Sequence, residues 1–149
     1  MAFRFRYDSL LEYREKLLER EQYELAKIAE EARKIERECA RLEMERFKCA
    51  EFFSAKQIAG MSPEECKLFS ESLEALEHRL LEERARLKKA LEKLEEQRQK
   101  LVEMNKKVEM LRVLKAEQEE EYRREVSKLD QKTSDELMVL KWGKSSDEI

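Results

Sequence analysis

The sequence predicts an all-α fold: two long helices forming an antiparallel, left-handed coiled-coil hairpin, the second helix longer than the first. Three observations carry this expectation. Apolar residues recur every seven positions over two long stretches, helix breakers are nearly absent, and most of those present cluster between Ile58 and Glu65. Charged residues make up 45% of the chain and aromatics 7%, against about 25% charge in ordinary globular domains. A chain of this kind hides its apolar minority in a narrow seam between helices. Disorder is the competing reading of such polarity, and the regular spacing argues against it.

The turn comes first because it sets all the rest. Of 2 glycines and 1 proline in 149 residues, Gly60 and Pro63 lie three positions apart. Glycine past a helix end supplies the positive φ that stops it, Ser62 offers an N-cap oxygen, Pro63 suits the first helical turn, and Glu65 completes a Ser-x-x-Glu capping box. Ser9 and Glu12 repeat that pattern near the start. The expected layout is a single elongated coiled-coil domain over 1–149. Helix one covers about 9–59, the turn 60–62, helix two about 63–142, and a frayed tail 143–149, with Gly143 as the stop.

In helix one the a positions are Leu11, Leu18, Leu25, Ala32, Cys39, Arg46 and Phe53; the d positions are Arg14, Glu21, Ile28, Ile35, Leu42, Cys49 and Lys56. Helix two is more regular. Cys66, Leu73, Leu80, Leu87, Leu94, Leu101 and Val108 follow at intervals of seven, with Phe69, Leu76, Glu83, Ala90, Gln97, Met104 and Leu111 at d. A repeat of this period supercoils left-handedly around a partner helix. In an antiparallel hairpin the numbers of facing residues add to a constant, and a turn centred on Met61 makes it 122. Leu11 then faces Leu111, Leu42 faces Leu80 and Phe53 faces Phe69, so one constant brings each a position opposite a d position. A domain-swapped dimer would keep the same contacts. Polar residues fall in three layers, Glu83 opposite Cys39, Gln97 opposite Leu25 and Arg46 opposite Leu76. They either fix register or reach water at the seam's edge.

The arms are unequal. In this register Ser9 faces residue 113, so about 28 residues of helix two, roughly 42 Å, are expected to project beyond the partner. A lone helix this polar is marginal unless another protein covers it. Two clusters belong to this end: Phe3, Arg4, Phe5 and Arg6 before helix one, and Leu137, Met138, Leu140 and Trp142 late in helix two, with Tyr122 between them. The first could touch nucleic acid or anionic lipid, or pack onto the continuing second helix. The second marks a protein partner more readily than a membrane.

Catalytic, metal and cofactor sites are not expected. The single histidine, His78, falls on an outward position, and no glycine-rich phosphate cradle is present. Cys39, Cys49 and Cys66 form no CxxC pair and none faces another across the seam, so they are expected as reduced, seam-filling thiols. With 32 basic against 35 acidic residues, no general drive toward nucleic acid exists. MAFRFRYDS holds no apolar signal segment, and no apolar run approaches the roughly 20 residues a membrane span needs.

Phe3, Arg4, Phe5, Leu10 and Leu11 at the start, then Gly60, Met61 and Ser62 between two long helices, resemble the FliJ family of the bacterial flagellar type III export apparatus. The resemblance spans the chain in length and layout. It implies a non-enzymatic stalk, similar to the γ stalk of rotary ATP synthases, that inserts into the hexameric flagellar export ATPase and promotes its assembly and activity. It further implies contact with the cytoplasmic region of the export gate protein FlhA and with export chaperones. The expected setting is cytoplasmic, peripheral to the membrane-embedded apparatus, with the isolated chain a monomer and no nucleic acid or membrane insertion. Two other readings stay open: a homodimeric coiled-coil scaffold without any ATPase, and the equivalent stalk of a virulence injectisome.

Overall fold

A computed structural model describes residues 2–147, with side chains through residue 144. Two helices account for nearly all of it: α1, Asp8–Ala59, and α2, Pro63–Asp147. No strand occurs among the described residues. The helices pack against each other as an antiparallel pair, and α2, at 85 residues, is longer than α1, at 52. The chain divides into two compact units, Glu19–Val102 and Met1–Leu18 with Glu103–Ile149.

The first unit contains the turn. Gly60 has φ 106°, a backbone region that only glycine enters without strain. The Ser62 hydroxyl accepts a hydrogen bond from the Glu65 amide at 3.2 Å, and the Ser62 carbonyl accepts one from the Cys66 amide at 3.0 Å, so Ser62 caps α2. Beyond the turn, Phe53 stacks on Phe69 at 5.7 Å, a pair whose numbers add to 122. The core of this unit is Cys39, Leu42 and Leu80, with Ile35, Leu76 and Leu87 packed around it. Leu42 is 0% and Leu80 1% exposed. Each such leucine contributes about 1.5–3 kcal/mol through burial.

Ion pairs flank the seam. Arg84 meets Glu43 at 2.7 Å, Arg79 meets Glu38 at 3.5 Å and Lys100 meets Glu21 at 3.3 Å. Exposed pairs of this kind are worth about 0–1 kcal/mol each, so they refine the register that the apolar layers set. Of the polar layers, Gln97 is satisfied across the seam, though not against Leu25. Its amide donates to the Glu21 carboxylate at 2.6 Å and to the Glu21 carbonyl at 3.2 Å. That bond, aided by Lys100, holds the Glu21 carboxyl below its ordinary range despite the opposing effect of burial. Glu83 instead pairs within its own helix with Arg86 at 2.8 Å.

In the second unit Leu11, Leu18 and Val108 are buried. Arg112 pairs with Glu15 at 3.3 Å and Lys115 with Asp8 at 2.8 Å. α1 begins at Asp8, where the Tyr7 carbonyl accepts from the Leu11 amide at 2.9 Å. Tyr7, and not Ser9, therefore occupies the capping position. Pairing also reaches further along α2 than residue 113, because the segment before α1 lies on it: Phe3 stacks on Tyr122 at 5.6 Å. At the other end, α2 continues through Gly143 to Asp147, so the expected stop at 142 and tail from 143 do not hold over 143–147. One glycine costs a helix only about 1 kcal/mol relative to alanine, and Lys144 in the last turn favours the negative end of the helix dipole. The rest of the expected tail, 148–149, lies outside the described residues.

Candidate functional site

The heptad seam and the surface it leaves free define the candidate site. Every a and d residue of α2 from Cys66 to Tyr122 is buried or half-buried. From Arg123 to Lys144 every residue is exposed. The change is abrupt and coincides with the end of the partner segment at Phe3.

This boundary separates the predicted site residues into two groups. Phe5 is 5% exposed and stacks edge-on with Tyr7 at 5.8 Å, while Phe3 and Tyr122 are half-buried against each other. Of the two readings of this cluster, packing onto α2 describes Phe3. Arg4 and Arg6 remain at the surface, with Arg6 placed over the Tyr7 ring at 5.6 Å. The second group is open. Leu137, Met138, Leu140 and Trp142 are 58–75% exposed, on consecutive turns of α2. Fifteen positions separate Tyr122 from Leu137, roughly 22 Å of helix axis, so the two clusters stand apart along α2.

Among the described residues no arrangement of side chains suggests chemistry. His78 is exposed and lies 3.4 Å from Glu82 one turn on. Cys39, Cys49 and Cys66 are free thiols. Burial, with Glu83 nearby, pushes the Cys39 thiol up, which disfavours its reactive thiolate. Among the described residues no cluster of His, Cys, Asp and Glu could hold a metal ion, and no helix is long and apolar enough to cross a membrane. The concavities along the helices, such as the one lined by Arg84, Leu87, Lys88 and Leu91, are open grooves between side chains. What the arrangement presents is an exposed apolar helix face at Leu137, Met138, Leu140 and Trp142.

The flagellar FliJ protein family model matches residues 3–146. The chain belongs to the FliJ family. Membership gives it a role connected with flagellar export, in a family of structural or adaptor components. No curated protein and no solved structure matches this FliJ-family chain.

A further set of exposed apolar residues escaped the sequence reading: Met44 and Phe47 on α1, Ile58 before the turn and Leu68 just after it are 56–88% exposed. Their signal in the sequence was available, since all four fall off the a and d positions that the seam consumes.

Proposed function

We propose that the chain is a non-enzymatic stalk and adaptor of the flagellar export apparatus, acting as one coiled-coil domain. Its exposed end of α2 enters the central opening of the hexameric export ATPase and promotes assembly and activity of the ring. The same chain links the ATPase to the cytoplasmic region of the gate protein FlhA and to export chaperones, in the cytoplasm at the periphery of the membrane-embedded apparatus. The observation that carries this reading is the stretch Arg123 to Lys144, exposed throughout and bearing Leu137, Leu140 and Trp142 near its end. An isolated helix of such polarity gains stability when a partner covers it, and a ring interior supplies that cover. The flagellar family match favours the flagellar system over an injectisome.

The mechanism is allosteric and needs no bond chemistry from this chain: an asymmetric helix end makes different contacts with successive subunits of a symmetric ring, and so biases their conformations. The test is hydrolysis by the cognate export ATPase with increasing amounts of the full chain. The rate is expected to rise and saturate. An unchanged rate at every concentration would reject the proposal.

A further inference from the structure

Beyond Tyr122 the apolar spacing on α2 changes. Val126, Leu129, Thr133, Leu137 and Leu140 are spaced by three, four, four and three positions, so that Val126 and Leu137, like Leu129 and Leu140, are 11 positions apart. An 11-residue repeat matches about 3.67 residues per turn. Its stripe therefore runs nearly straight along a helix, whereas a heptad seam requires a left-handed wrap around its partner. The stripe begins where the intrachain seam stops, and Val126, Leu129, Leu137 and Leu140 are 37–65% exposed. Thr133 interrupts it with a hydroxyl that already donates to the Leu129 carbonyl at 2.9 Å, so its methyl can be covered without stranding a polar group.

From this geometry we infer that the stripe is the interface for a second copy of the same chain, paired antiparallel through it. Its self-complementarity singles out that occupant. Antiparallel pairing with facing numbers adding to 266 sets Val126 against the partner's Leu140, Leu129 against the partner's Leu137, and Thr133 against itself. One constant satisfies every layer, as 122 does within the chain. Asp130 and Lys141 lie on one flank of the stripe, and a two-fold axis brings each to the other's copy, twice. Their numbers add to 271, five beyond the facing value; the intrachain pair Arg84 and Glu43 add to 127, also five beyond theirs. On the opposite flank Glu125 meets the partner's Glu136, with Lys128 and Lys132 bordering them. Four turns of two helices give a contact at the small, transient end of specific interfaces. The dilute chain is thus the expected monomer, and association emerges with concentration. Leu137 and Leu140 belong both to this stripe and to the surface proposed to meet the ATPase, so the two contacts exclude each other, and the pairing is tested on the chain alone.

Sedimentation equilibrium of the full chain from about 1 to 500 μM tests it with no ATPase present. The average mass is expected to rise from 18.0 kDa toward twice that value. Leu129→Lys should weaken association by about 100-fold or more, because it loses two buried leucines per dimer. Asp130→Lys and Lys141→Asp should each weaken it by about two- to thirtyfold, and the double exchange should restore it. A mass fixed at the monomer value would overturn the inference. So would a dimer indifferent to Leu129→Lys, the signature of domain swapping, or a double exchange that fails to restore pairing.

Discussion

Leu42→Ala is expected to lower the unfolding free energy by about 2–5 kcal/mol. Leu42 is fully buried against Leu80 and Cys39. In a two-helix seam no third layer stands ready to move into the space it leaves. Urea denaturation followed by far-ultraviolet circular dichroism measures the loss. Leu80→Ala removes the other half of the same layer, so the double variant should cost less than the two single losses together. Lys56, a d position that is exposed near the turn, serves as the contrast: its replacement by alanine should change stability by no more than about 0.5 kcal/mol. A Leu42→Ala loss below about 1 kcal/mol would remove this layer from the core.

Glutamate at Leu137, Leu140 and Trp142 together is expected to weaken capture of the export ATPase by about 30-fold or more. One buried aromatic anchor alone is commonly worth 2 kcal/mol or more. Helicity and the thermal midpoint should be unchanged, because these side chains are 58%, 65% and 75% exposed in the chain alone. Phe5→Ala should behave in the opposite way, destabilising the fold, since Phe5 is 5% exposed. A triple variant that still binds as the natural chain does would move the contact elsewhere on the surface.

The seam was legible from the sequence because its signal is a period. Seven-residue spacing marked the a and d positions of α2, and those from Cys66 to Leu111 are withdrawn from solvent. The antiparallel register was legible because a glycine, a serine and a proline placed the turn, and Leu42 with Leu80 and Phe53 with Phe69 obey the same constant. What escaped was non-periodic. Phe3 and Phe5 precede α1 in an extended segment, where no spacing reports which face they cover. Pairing was therefore expected to end near residue 113, whereas Lys115 bonds Asp8 and Tyr122 stacks on Phe3. Gln97 reaches Glu21 because a long amide can bond a residue one turn away from the one it faces. Gly143 looked like a stop because its cost to a helix is local, while the continuity of α2 rests on the turns before it. The candidate site was legible as an apolar cluster, Leu137 to Trp142, but its lower boundary depended on where the N-terminal segment lies.

Hydrogen exchange along α2, with and without the cognate hexameric ATPase, tests the central claim most directly: that α2 is held by its own chain as far as Tyr122 and offers the rest to a partner. For the chain alone, amides between Cys66 and Gln118 should exchange slowly and those from Arg123 to Lys144 fast, since an uncovered polar helix opens readily. With the ATPase present, protection should rise over Arg123 to Lys144 and stay unchanged around the turn at Gly60. Fast exchange over Arg123 to Lys144 under both conditions, or new protection confined to the turn, would contradict the account.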